Sequence, residues 1–263
     1  MTQEILNCYR AVNPHISVDC VLIGFDGEKL SVLLVKRQGV VDKDFCDTKL
    51  PGSLIYTDED LDEAAKRVLT ELTGLKDVKL DQFKTFGDKN RTKNPKDTLW
   101  LERLHSLKTP VDRIVSVAYL SLQKVDKKMI FPNYKYEPCW KSVKEVGKLA
   151  FDHKQIVEEA LLYIRNRAEL NPTFLFSLLP KKFTAAQLRK LFELVFDKTF
   201  DVRNFHKRIA QMPYVIPLEE KERGVAHRAA RYYKFDKNKS NSSDHIFPKI
   251  KLHNYIRKVN YFY

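Results

Sequence analysis

The sequence predicts an α+β chain of two domains, and three observations carry that prediction. Near the start, two β-branched apolar runs flank a Phe25-Asp26-Gly27-Glu28 turn, the pattern of a β-hairpin. From residue 153 the apolar spacing turns helical and stays so for about sixty residues. Positive charge is gathered at the far end: residues 181–263 hold 19 Lys and Arg against 8 Asp and Glu, a net +11, whereas residues 1–180 hold 28 against 26, a net +2. A length of 263 residues favours two domains over one. We place them at 1–150, a sheet-and-helix sandwich, and at 151–235, a mainly α module, with 236–263 as a basic extension.

Taken in order, residues 15–37 supply the hairpin. Residues 51–75 come next, in which Leu61, Ala64, Ala65, Val68, Leu69 and Leu72 form the buried face of an amphipathic helix. The polar segment 88–112 is long for a simple loop. Within it, Trp100, Leu101, Leu104 and His105 have the spacing of a short helix, placed at a ligand cleft or at a dimer contact. Residues 112–122 read as a further buried strand, and 139–156 lead into the next helix.

The frame of residues 53–75 resembles the Nudix box, G-x5-E-x7-R-E-U-x-E-E-x-G-U with U aliphatic. Glu59, Arg67, Leu69, Glu71, Gly74 and Leu75 stand on matching positions. Three defining residues are replaced: Ser53 stands for the opening glycine, and Val68 and Leu72 stand for two helix glutamates. The resemblance implies a Nudix-like α/β/α sandwich. In that family the helix carboxylates share magnesium beside a pyrophosphate, and magnesium needs oxygen ligands. Val68 and Leu72 offer none, and four residues apart they make one apolar stripe. The expectation is therefore no catalytic residue, no metal and no cofactor.

The hairpin, the box and the run Leu149-Ala150-Phe151-Asp152-His153 together resemble the Nudix-related transcriptional regulators of bacteria. In these a Nudix-like sensor is fused to a winged helix-turn-helix. The resemblance implies a small-molecule effector in residues 1–150, an ADP-ribose-type nucleotide in one branch of the family and L-arabinose in another. Loss of the magnesium acids tilts the expectation toward the neutral sugar. Lys36, Arg37 and Lys49, where Nudix domains contact substrates, would suit a phosphate and count against it.

In the C-terminal third, Thr184 and Gln187 form a capping box for a helix that ends near Asp197. After a short break Asp201 caps the next helix, with Val202, Phe205, Ile209 and Met212 as one buried stripe. Its other faces carry Arg203, Asn204, Lys207 and Arg208, side chains that hydrogen-bond base edges and reach phosphates. Two helices across a tight break, the second cationic, predict a helix-turn-helix with residues 201–212 as the recognition helix. Two short extended runs around a charged turn then predict a β-hairpin wing, with His227, Arg228 and Arg231 on or beside it. The run Arg228-Ala229-Ala230-Arg231-Tyr232-Tyr233 is also similar to the last strand of the family.

No run approaches the roughly 20 apolar residues of a membrane span, and the N-terminus lacks a signal-peptide core, so a cytoplasmic protein is expected. Cys8, Cys20, Cys46 and Cys139 have neither zinc nor disulfide-framework spacing. The leading expectation is a homodimeric, ligand-responsive transcription regulator on a pseudo-palindromic duplex DNA operator. The alternatives are a divergent Nudix hydrolase using Glu59 and Glu71 with a basic nucleic-acid-binding extension, and an adaptor whose first half only dimerises.

Overall fold

Asp26 closes the first turn by accepting the backbone N–H of Glu28 and of Lys29, each at 2.9 Å, and Gly27 takes a φ of 101° that side chains disfavour. The computed structural model that shows this describes residues 10–38, 46–107, 110–111, 113–125, 136–224 and 229–240. The turn joins β1 (Val12–Phe25) to β2 (Leu30–Gln38) as antiparallel neighbours. Strands β3 (Cys46–Lys49) and β7 (Cys139–Ser142) pair with β2, and β4 (Gly52–Tyr56) pairs with β1. On the other side of β1 runs β6 (Val115–Lys124), parallel to it, and β5 (Asp81–Phe86) lies antiparallel to β6. The result is a mixed sheet.

Alternation along β1 gives the sheet two different faces. Val18, Cys20 and Leu22 pack with Leu33 and Val35 against helix α1 (Leu61–Thr73), whose Ala64, Ala65, Val68 and Leu69 are sealed in that core. A second cluster joins Leu54 of β4 to Trp100 and Leu101 of helix α2 (Pro95–Leu104), with Val111 and Ile114. Helices thus pack with strands in two separate cores, the arrangement of an α/β/α sandwich. Asp60 and Glu63 form a reciprocal capping box at the start of α1, and Gly74 ends it at a φ of 74°, donating its N–H to Thr70 O.

The chain divides into two compact units, 1–163 and 164–263. The division falls inside helix α3 (His153–Leu170), past the expected junction at 150. Continuous helical spacing along His153–Leu170 leaves no composition break at that point.

The second unit has a 3-10 helix (Pro172–Leu178), β8 (Phe183–Thr184), helix α4 (Ala185–Phe196), helix α5 (Val202–Ala210), β9 (Val215–Lys221) and β10 (Arg231–Phe235). Its strands run in the order β8-β10-β9, all antiparallel. Thr184 and Gln187 make the expected capping box, Asp197 closes α4 at a φ of 51°, and Asp201 caps α5 by accepting Asn204 N–H at 2.9 Å. Phe176 stacks on Phe235 with ring centroids 4.5 Å apart, and Phe192 meets Phe205 edge-on. One expectation fails here. Val202, read as part of the buried stripe, is 50 % exposed, while Phe205, Ile209 and Met212 are buried. Side chains lean toward the helix N-terminus, so a residue in the first turn projects past the end of the helix.

Of the C-terminal extension only 236–240 is described, with a short helix at Lys237–Ser240. No helix among the described residues is long and apolar enough to cross a membrane.

Candidate functional site

The helix of the box presents the first candidate site. Arg67 reaches from α1 to Glu59, Nε to Oε2 at 2.8 Å and Nη2 to Oε1 at 2.6 Å, and its Nη1 donates to Glu71 Oε2 at 3.0 Å. Glu59 also accepts the backbone N–H of Tyr56 at 2.8 Å, and the guanidinium lies 4.1 Å from the centre of the Tyr56 ring. Both surviving glutamates of the box are thereby engaged by Arg67. Val68 and Leu72 lie in the core beneath them, without oxygen to offer. The residues present do not fit magnesium. Among the described residues no group of three or more His, Cys, Asp or Glu is placed to hold a metal ion.

A narrow cavity opens on the sheet face opposite α1. Strands β1 and β4 supply Ser17, Asp19, Gly52 and Ser53; α2 and its end supply Trp100, Leu101, Leu104 and His105; Lys49, Arg91, Thr92, Ile114, Phe151 and His153 complete the lining. Asp19 is a buried carboxylate within the otherwise apolar run Val18–Phe25, and burial demands partners for it. It accepts a hydrogen bond from Ser116 Oγ, lies 3.3 Å from His153 Nε2 and 3.9 Å from Arg91 Nη2. Burial pushes its pKa up, but His153, Arg91, Ser116 and Lys49 together outweigh burial and hold it below the ordinary carboxylate value. His153 Nδ1 accepts Leu50 N–H at 2.9 Å, so in the neutral ring the proton sits on Nε2, facing Asp19. Burial holds that imidazole below its ordinary pKa against the pull of Asp19. His105 is held down to about 4 by burial, Lys49 and Arg67, and faces Ser53 Oγ at 3.4 Å. Gly52 belongs where it is: a Cβ there would stand 1.9 Å from Asp19 Oδ1.

Of the three basic residues expected at a ligand site, Lys49 lines this cavity and the other two do not. Lys49 is buried, donates to the carbonyls of Leu50 and Gly52, and is brought down to about 8 by burial, with Asp19 opposing. Lys36 pairs with Glu137 near the surface. Arg37 is buried, with Nε on Asp47 Oδ1 at 2.7 Å and Nη1 on Asp97 Oδ1 at 2.6 Å. Sequence spacing at the end of a strand did not reveal that Asp97, sixty residues on, would claim its guanidinium. Asp19 and Arg91 were missed, although a lone acid within Val18–Phe25 was a visible signal.

Asp97 and Arg91 tie this region to the start of α3. Asp97 Oδ2 accepts Phe151 N–H at 3.2 Å, and Arg91 clasps Asp152 through two bonds of 2.9 and 2.8 Å.

In the second unit, α5 turns Arg203, Asn204 and Lys207 to solvent with Arg208 half-buried, and β10 exposes Arg231. His206, which sequence reading did not single out, is exposed on the same helix. Expected wing residues His227 and Arg228 lie outside the described residues. A helix capped by Asp201, without an acid in its first turn and with a cationic outer face, suits a polyanion.

The fold and the box define a Nudix domain with an altered metal frame, followed by a winged helix. Residues 13–160 match the NUDIX domain, and residues 175–235 match the NrtR DNA-binding winged helix domain. The chain belongs to the Nudix family. It is 23 % identical over 227 residues to a protein of Acinetobacter baylyi named ADPR responsive transcriptional repressor NtrR, covering 85 % of this chain and 82 % of that one. Its fold is similar to that of Shewanella oneidensis NrtR, solved with a 27mer DNA, at a TM-score of 0.64 and 24 % identity over 86 % of this chain and 95 % of that one. A MutT/nudix family protein from Enterococcus faecalis aligns at a TM-score of 0.57 and 22 % identity over 85 % of this chain and 88 % of that one.

Proposed function

We propose that this chain is a transcriptional repressor that binds duplex DNA through its winged helix and uses its Nudix domain to sense, not hydrolyse, an ADP-ribose-type nucleotide. The observation that carries the reading is the pairing, in one chain, of a Nudix helix whose Val68 and Leu72 are sealed in the core with a winged helix whose α5 shows solvent a cationic face. A Nudix domain in which two helix carboxylates are replaced and the remaining two are engaged by Arg67 is poorly equipped to hold the Lewis acid of pyrophosphate hydrolysis, yet keeps a cleft. The cleft here mixes Lys49 and Arg91 with the aromatic rings of Trp100 and Phe151, a lining suited to a phosphorylated sugar carrying a base. The name of the Acinetobacter relative supports the same ligand. The expectation of a neutral sugar such as L-arabinose is given up, since neither the lining nor the relatives support it.

Arg203, Asn204, Lys207 and Arg208 contact DNA in this reading, with Arg231 and the wing residues His227 and Arg228 on the backbone. Two copies related by a two-fold axis set two recognition helices one DNA turn apart on a pseudo-palindrome.

The test begins with duplexes selected from a random pool by the full chain. Arg203→Ala and Lys207→Ala are expected to weaken binding of the selected duplex about five-fold or more, Lys207→Ala also lowering the salt slope by about one, with unchanged melting temperatures. ADP-ribose without metal should change the affinity for the selected duplex, and L-arabinose should not. Efficient magnesium-dependent hydrolysis of ADP-ribose would overturn the sensor reading, and a chain that enriches no duplex would overturn the repressor reading.

A further inference from the structure

Asp201 caps the first turn of α5, yet two residues of that turn contribute little to the helix itself. Val202 stands at the first helical position, β-branched and 50 % exposed, where it gains neither burial nor good helix propensity. Arg203 comes next, a cation at the positive end of the helix dipole where an acid would be favoured. Asp201 caps this turn and sets its carboxylate at the positive end of the dipole, yet both neighbouring side chains are turned to solvent, which leaves a surface open to a ligand. Arg203 has an evident counterpart in an anionic ligand. Val202 needs an apolar one. Four residues on, one turn along the same side of the helix, stands the exposed His206, so the apolar patch is small and ringed by hydrogen-bonding groups. It is the size of one side chain.

The major groove offers one apolar group among its donors and acceptors, the C5 methyl of thymine, and it is read by small apolar side chains. Recognition helices meet base edges with their N-terminal residues. We propose that Val202 is the thymine reader of this winged helix, packing its methyl groups on the C5 methyl of one thymine in each half-site while Arg203 and Asn204 bond neighbouring groups. The inference rests on the repressor reading of this chain and deepens it by assigning a specificity-determining residue.

The experiment uses the full chain and the tightest duplex it selects from a random pool. That duplex is remade with deoxyuridine in place of thymidine at one position at a time, which removes the C5 methyl and nothing else. At one thymidine in a half-site, the unmodified protein should lose about four-fold in affinity, the worth of one buried methyl-sized group. Val202→Ala should bind the thymidine duplex more weakly by a similar factor and show no further loss with uracil. Val202→Ile should keep the dependence on the methyl group. A protein indifferent to every replacement, or a Val202→Ala variant that still loses four-fold at the same thymidine, overturns the assignment and leaves DNA binding standing. If no duplex is enriched at all, the repressor reading falls and Val202 falls with it.

Discussion

His153 shows how the surroundings of a single side chain set its proton affinity and, through that, the pH dependence of stability. Its Nδ1 is occupied by Leu50 N–H, so a second proton on the ring would face a donor with a donor. Burial adds to that cost, and the folded pKa lies below the ordinary value; His105, buried beside Lys49 and Arg67, is held down to about 4. Below about pH 6.5 the unfolded chain therefore takes up protons at these positions that the folded chain refuses. Stability is whole above that value and falls as the pH is lowered. His105 contributes about 1.4 kcal/mol of loss by pH 5.5, one unit lower, and His153 adds to it in the same direction. Calorimetric melting between pH 7.5 and 5.5 checks this. His153→Gln should melt lower at pH 7.5 but lose less on acidification; an unchanged pH dependence would refute the role given to His153. Little of this was legible in the sequence. Asp19 announced itself as an acid among Val18, Cys20 and Val21, but its partners Arg91, Ser116 and His153 come from a distant turn, strand and helix start, and spacing along a chain does not say which segment returns to which strand.

Elements were more readable than residues, because a helix or hairpin is specified by its own neighbours. Thr184 with Gln187, Asp201 before α5, and the Asp26-Gly27 turn each satisfy local backbone groups, and each was visible in a few residues. Helix α2 was legible as a helix from Trp100, Leu101, Leu104 and His105, though its place beside the cavity was one of two options. That place suits it to transmission in the sensor reading proposed above. Trp100 and His105 line the cavity, Asp97 of the same helix holds Phe151 N–H, and Arg91 just before it clasps Asp152 at the threshold of α3. A ligand that moves α2 would move the start of the helix that continues toward the winged helix. Coupling needs such an element whose arrangement both sites bias. Asp152→Asn leaves the cavity lining intact and removes half the charge of the clasp. It should bind ADP-ribose within about three-fold of the parent, judged against coupling factors of about 5 to 150, yet its duplex affinity should respond less to the ligand. Calorimetry with ADP-ribose and anisotropy with the duplex measure the two separately. A full response in the variant would exclude the clasp from the route.

At the scale of the whole molecule, charge spoke first: a net +11 in residues 181–263 against +2 in the rest pointed to a polyanion partner for the C-terminal part before any fold was considered. The box said which scaffold the first part uses through Glu59, Arg67 and Gly74, and the replacements Val68 and Leu72 said what it had lost. What charge and motif do not convey is the sign of the coupling, because both ligand-bound and free states are built from the same residues. A thermodynamic consequence holds whichever sign applies. If ADP-ribose changes duplex affinity by a factor, the duplex must change ADP-ribose affinity by the same factor, since both describe one closed cycle of four states. We expect that factor to lie between about 5 and 150, or about 1 to 3 kcal/mol. Titration of ADP-ribose into the free chain and into the chain saturated with its selected duplex gives one leg; titration of duplex with and without saturating ADP-ribose gives the other. Equal factors well away from one are the expected outcome. A factor of one on both legs would mean that the Nudix domain and the winged helix share a chain without sharing a signal.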